Sequence, residues 1–257
     1  MATPATFHDE GHGFDLFGLS PAAVARAVAL GAPAYERYFR VASEGSAQVP
    51  RAGAAILVAN HSGTLPVDGA MLWQDVVRHT GRVPRMIADR FIPRLPFVST
   101  WFARVGVVSG TRGNVRRLLE QGELLAIFPE GVTGVGKSWR DRYRLQAWRV
   151  GHAELAIRHR APVIPVAIVG AEESWPVALR IDGVRLFGAP YLPIPATPLP
   201  LPVRYHLRYG APIALHDAFA PDDADDPAAL AAAAAQVRAA VEALIAETRT
   251  ARRGLWR

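Results

Sequence analysis

The segment Gly53-Ala54-Ala55-Ile56-Leu57-Val58-Ala59-Asn60-His61-Ser62-Gly63-Thr64-Leu65-Pro66-Val67-Asp68 passes abruptly from apolar to polar at Asn60. An unbroken run such as Ala54 to Ala59 suits a strand buried on both faces, as in a parallel sheet covered by helices. Beyond Pro66 the pattern becomes helical from about Val67 to His79. The polar residues therefore occupy a strand-to-helix junction, and ligands of open α/β sheets bind at the carboxyl ends of strands.

The same pattern recurs on either side. Gly106-Val107-Val108-Ser109 leads to a helix near 112 to 121, and Leu124-Leu125-Ala126-Ile127-Phe128 leads to Pro129-Glu130-Gly131. This alternation predicts a single α/β domain with a mostly parallel central sheet flanked by helices. Val163 to Gly170 is another apolar run, but Pro165 within it lacks a ladder donor, which argues for a bulge or an edge position. Residues 188 to 202 carry six prolines and read as a rigid extended loop. Val203 to Tyr209 alternates as a half-buried strand does. Upstream, Ser20-Pro21 resembles a helix start and Gly31 with Pro33 a stop, followed by the aromatic residues Tyr35, Tyr38 and Phe39. An Ala-rich helix from about 227 to 249 carries an apolar stripe of Val237, Val241, Leu244 and Ile245 that is expected to pack on the domain. The chain thus divides into an N-terminal helical segment (1–52), a core (53–213) and a C-terminal helix (214–257), with no internal repeat.

Its 257 residues include no cysteine, which excludes a thiolate nucleophile, a disulfide framework and cysteine-ligated metal. The first residues lack a secretory pattern and no apolar run reads as a spanning helix, so a cytoplasmic protein, soluble or lying on a membrane surface, is expected. The formal charge is +6, and residues 78 to 117 hold nine arginines against one acid, Asp89. Such a field suits nucleic acid, anionic lipid headgroups or a phosphorylated small molecule such as coenzyme A.

Among the chemistry-bearing residues His61 stands out. It follows a buried strand directly, and Asp68 lies just beyond Pro66 on the turn into the helix. An imidazole supported by a carboxylate can take a proton from an alcohol without any enzyme nucleophile. The two lack a third metal ligand at recognisable spacing, so no metal is expected. Lys137, the only lysine, ends the Gly-rich stretch Val132-Thr133-Gly134-Val135-Gly136 and is a candidate contact for a coenzyme A phosphate. No nucleic-acid motif accompanies the arginines, and no nucleic-acid partner is expected.

Asn60 to Asp68, together with Phe128-Pro129-Glu130-Gly131, resembles the glycerolipid acyltransferase superfamily, which includes lysophospholipid acyltransferases. Gly110-Thr111-Arg112-Gly113-Asn114 is similar to its arginine-bearing second block, and Val163-Ile164-Pro165-Val166 to its proline-containing fourth. The usual motif sets four residues between His and Asp; six stand between His61 and Asp68, which resembles the monoacylglycerol and diacylglycerol acyltransferase branch. The resemblance implies transfer of a fatty acyl group from acyl-coenzyme A or an acyl carrier protein thioester to a lipid-like alcohol, with no further cofactor. It casts His61 as general base, Asp68 as the residue that orients it, and Arg112 as holder of an anionic group. Phe128, Pro129, Glu130 and Gly131 would position the acceptor, and Ile164 and Pro165 would line the acyl or acceptor site. Backbone N–H groups of loop 61 to 66, or of the turn after Phe128, could stabilise the oxyanion. Peripheral attachment to the inner face of the membrane is expected, through the arginine cluster, the aromatic segment before Val41 and the Pro-rich loop. The alternative is a lipid- or acyl-binding protein on the same scaffold without turnover.

Overall fold

In the computed structural model, residues 7, 9, 11–62, 66–89, 97–134, 137–183 and 191–254 are described. The chain enters through α1 (Pro21–Pro33), with Pro21 in its first turn. The α-helix ends at Pro33, as the sequence predicts, and passes directly into a π turn over Ala34–Tyr38, closed by Phe39 N–H donating to the Ala34 carbonyl at 2.8 Å. A proline inside a helix removes an i→i−4 bond, and the wider spacing accommodates that loss. Tyr35 and Phe39 end up in the core, and Tyr38 is exposed.

Strands β1 (Ala42–Glu44) and β2 (Ala55–Ala59) precede α2 (Val67–Thr80), and β3 (Arg85–Ala88) precedes α3 (Val98–Arg104). Next come β4 (Val107–Ser109), α4 (Arg112–Glu120), β5 (Leu124–Ile127), α5 (Gly151–Arg158) and β6 (Val163–Val169). The chain ends with α6 (Ala171–Ser174), β7 (Val177–Asp182), β8 (Tyr191–Pro195), β9 (His206–Tyr209), α7 (Leu215–Ala218) and α8 (Pro227–Ala251). Seven strands form one sheet in the order β1-β9-β6-β2-β5-β3-β4, and β7 and β8 form a separate antiparallel pair. From β6 to β4 all neighbours run parallel; β9 is antiparallel to β6 and carries β1 with it.

Alternation along β2 sends Leu57 to one face, with Leu72 and Val76 of α2, and Ile56 and Val58 to the other, with Leu118, Ala153 and Val237. Both faces are therefore covered, which is why the run reads as continuously apolar. The carboxyl ends of β2, β5 and β6 meet at the centre of one edge.

Two sequence expectations change here. Of the two alternatives for β6 the edge is corrected, since it is an interior strand, and the bulge is met, since the register shifts by one residue between Val166–Tyr209 and Val163–Ile213. Val163 exchanges both backbone bonds with Ile213, and two residues on the Pro165 carbonyl accepts Gly210 N–H at 2.8 Å. The missing Pro165 donor thus faces the stretch where β9 has ended and the chain loops out before Ile213, so no ladder bond is lost. Tyr191–Pro195 of the Pro-rich segment forms β8, because a two-stranded ribbon leaves one side of the strand free of any demand for donors, while residues 196–202 are loop as expected.

Part of the arginine cluster is engaged within the protein, while Arg112, Arg116 and Arg117 are exposed on α4. Arg85 is buried between Asp15 and Glu123, and Arg82 caps the Pro50 and Gly122 carbonyls, each at 2.9 Å. Arg78 pairs with Glu36 at 2.6 Å, Arg104 lies 3.8 Å over the Phe14 ring, and Arg116 pairs with Glu120 at 2.7 Å. Arg90 and Arg94 lie outside the described residues. By length and composition α8 could cross a bilayer, contrary to the sequence expectation. Its Val237 and Val241 are fully buried against the domain, and Arg238 and Glu242 pair on its outer face at 3.0 Å.

Candidate active site

Asn60 extends β2 by one side chain. Its amide donates to the Ile168 carbonyl at 2.9 Å and accepts Ile168 N–H at 2.8 Å, copying a backbone ladder rung. This fixes the point at which the chain leaves the sheet, one residue before His61. Across the turn, Asp68 is fully buried in the first turn of α2, where the helix dipole favours a carboxylate. Its Oδ2 meets His61 Nδ1 at 2.7 Å and also accepts Ser62 N–H at 2.8 Å, while Oδ1 accepts Gly69 N–H at 2.7 Å. The six-residue interval does not keep the two side chains apart.

The imidazole lies against the Phe128 ring, centroids 4.5 Å apart, and keeps 13% of its side-chain surface exposed. Burial pulls its pKa down, but Asp68, by charge and hydrogen bond, and Glu130, by charge, outweigh burial and raise it above the ordinary histidine value. With Nδ1 committed to Asp68, Nε2 is the nitrogen left to exchange a proton.

Glu130 is buried with its carboxylate turned toward the protein. Oε1 accepts the His61 backbone N–H at 3.0 Å, and Oε2 accepts Gln146 N–H at 2.8 Å and pairs with Lys137 Nζ at 3.0 Å. Glu130 therefore acts on His61 from behind, a correction to its expected place beside the acceptor. Gly131 has φ +54°, and a Cβ there would stand 3.3 Å from the Arg149 guanidinium carbon. The Pro129 carbonyl accepts Arg149 N–H at 3.1 Å.

Lys137 is likewise not where a phosphate contact would place it. Its side chain is 4% exposed and lies between Glu130 and Glu172, the latter at 3.2 Å, because a lone ammonium is drawn to two buried carboxylates. Ile164 and Pro165 are also corrected: both are buried in mid-strand, Pro165 opposite Val58 and three residues short of the level of His61. Arg112 is exposed at the start of α4, on the carboxyl edge but three strands from β2, with no ion-pair partner among the described residues. Residues 63–65 of the proposed oxyanion loop lie outside the described residues; of its remainder, Ser62 N–H is taken by Asp68.

Sequence reasoning missed Glu172. It follows the buried strand β6 just as His61 follows β2, and that repeated apolar-to-polar step was the available signal. Burial pushes its pKa up to about 7, against the opposing pull of Lys137 and Tyr143 N–H. No group of three or more acidic or histidine ligands suited to a metal occurs among the described residues.

A mostly parallel sheet with a histidine-carboxylate pair at its carboxyl edge defines an α/β enzyme scaffold. A family model described as Acyltransferase matches residues 40–169, and the chain belongs to that family, within the glycerolipid acyltransferase superfamily. An uncharacterized protein of Mycobacterium tuberculosis is 38% identical over 236 residues, covering 86% of this chain and 65% of that protein. The human "DGAT1/2-independent enzyme synthesizing storage lipids" is 29% identical over 143 residues, covering 56% of this chain and 43% of that protein. The chain thus spans less than two thirds of the length of these relatives. Among solved structures, the 1-acyl-sn-glycerophosphate acyltransferase PlsC of Thermotoga maritima superposes with a TM-score of 0.61 at 19% identity, covering 90% of this chain and 81% of that one. That likeness concerns the fold.

Proposed function

We propose that this acyltransferase moves a fatty acyl group from a thioester, acyl-coenzyme A or acyl carrier protein, to the hydroxyl of a glycerolipid, lysophospholipid or similar alcohol. The 2.7 Å contact between His61 Nδ1 and buried Asp68 carries the reading. In this scheme Nε2 accepts the acceptor's hydroxyl proton as its oxygen bonds the thioester carbonyl carbon. Asp68 stabilises the imidazolium that forms. Collapse of the tetrahedral intermediate breaks the C–S bond, and the imidazolium returns the proton to the departing thiolate. Arg112 would hold an anionic part of donor or acceptor, and Phe128 and Gly131 would flank the reacting groups.

The relatives support a lipid acceptor, since the human one is named for synthesizing storage lipids. The contact between His61 and Asp68 favours a catalytic reading over lipid binding without turnover, which stays the alternative. Peripheral attachment to the inner face of the membrane is part of the proposal. The test is a mass-spectrometric product screen with mixed acyl thioesters and lysolipid, glycerol and long-chain alcohol acceptors. Wild type should form an ester that His61→Ala does not; no ester from any acceptor would overturn the assignment.

A further inference from the structure

Behind the His61–Asp68 pair lies a second, wholly internal group of charges that the proposed reaction does not use directly. Glu130 and Glu172 are 1% and 6% exposed, and the Lys137 ammonium joins them at 3.0 and 3.2 Å. Glu172 is held by a second donor, Tyr143 N–H, so the lysine is tied to α6 at the end of β6. Glu130 is tied in turn to the His61 main chain. One connected path therefore runs from β6 through Glu172, Lys137 and Glu130 to the backbone of His61. The approach is close: a Cβ at Gly134 would fall 2.8 Å from Glu130 Cβ and 2.9 Å from His61 Cβ.

The charges around the imidazole are unbalanced. Asp68 on α2 and Glu130 after β5 both favour the imidazolium, and Lys137 opposes it. Glu172 lies beyond the lysine, and from the β9 side Tyr205 approaches with a neutral hydroxyl that donates to Ser174 at 3.0 Å. Without Lys137 two buried carboxylates would face each other with no cation between them, a costly arrangement that would loosen Glu130 and leave its charge unopposed at the imidazole.

We infer that Lys137 is a positioning residue of the acyl-transfer site: it clamps Glu130, and through it the His61 backbone, and offsets the carboxylate field on the imidazole. The inference rests on His61 being the base. Lys137→Met should lower kcat by about 10²-fold with a smaller change in KM, since it displaces a reacting group without touching substrate. Loss of the nearby positive charge favours the imidazolium, so the acid limb of kcat/KM moves to higher pH. Lys137→Arg keeps the charge and should keep the limb in place. Lys137→Met/Glu172→Gln removes one charge of each sign and should bring the limb part of the way back.

The decisive measurement is independent of turnover: an NMR titration of His61 in folded wild type, Lys137→Met and Lys137→Arg. A higher His61 pKa in Lys137→Met alone supports the inference. Unchanged titration in both variants, or an equal shift in both, overturns it and leaves Lys137 a structural ion pair. Retention of activity by His61→Ala would instead sink the catalytic reading while leaving the titration result standing.

Discussion

Asp68 reaches His61 across a loop two residues longer than the family's usual motif, and the 2.7 Å contact sets how the site should respond to pH. A general base at His61, as proposed, would work only as the neutral imidazole, and the pKa of His61 lies above the ordinary histidine value. The acid limb of kcat/KM should therefore fall above that value, with activity lost as the pH drops through it. Asp68→Asn removes the chief favourable charge, so the limb should move to lower pH and kcat should fall by about 10²- to 10⁴-fold. A pH-rate profile of the two proteins checks both statements, and a limb that stays put would remove Asp68 from its proposed role. Much of this pair was legible in the sequence, because His61, Asp68 and Glu130 sit in short contiguous segments following apolar strands. The role of Lys137 was not: a glycine-rich stretch ending in lysine reads alike whether the ammonium points to solvent or inward. Only the meeting of Glu130 and Glu172, from different strands, decides between them.

At the scale of elements, the N-terminal segment is fastened to the sheet by one buried carboxylate. Asp75 of α2 accepts hydroxyl bonds from Tyr35 in the π turn, from Ser43 of β1 at 2.9 Å and from Tyr209 of β9 at 2.6 Å. Bonds to a buried charge are worth more than neutral ones, so Tyr209→Phe should cost about 1.5–3 kcal/mol in urea unfolding. Tyr35→Phe should cost a similar amount, and the double variant should fall short of the sum, since both hydroxyls serve one acceptor. Additive losses would show that the two act separately. Strand existence and order of appearance could be read from periodicity, as in β2, β4 and β5. The interior position of β6 could not, because it depends on β9 departing at Gly210 just where Pro165 has nothing to donate. Nor could the arginines be placed: Arg85 is fully buried by carboxylates 70 residues before it and 38 after it, a pairing no local pattern encodes.

Peripheral attachment to a bilayer, as proposed, would draw on the surface of the whole molecule. Tyr35 and Phe39 are core residues and Arg82 and Arg85 are buried, which leaves exposed, among the described residues, Tyr38 of the aromatic segment and Arg112, Arg116 and Arg117 of the arginine cluster. Exposed apolar side chains also gather at the start of α3. α3 comes between β3 and β4, the last two strands at one end of the sheet, and there Phe97 is 92% exposed and Val98 and Trp101 stand clear of the core. At the opposite end of the sheet, Leu199 is 71% exposed, and Tyr38 donates to the Pro200 carbonyl at 2.6 Å in the third expected contact, the Pro-rich loop. Arg112, exposed at the start of α4 just after the terminal strand β4, would add positive charge for anionic headgroups at the α3 end. Aromatic residues beside basic ones favour an interface over either bulk phase. The protein should float with anionic vesicles at low salt and be released as salt rises. Phe97→Ser/Trp101→Ser should lose flotation while retaining turnover of a short-chain, water-soluble thioester and acceptor, because neither residue contacts the His61 group. If the double variant floats like wild type, the docking edge lies elsewhere; if wild type fails to float at low salt, peripheral attachment through this surface is ruled out.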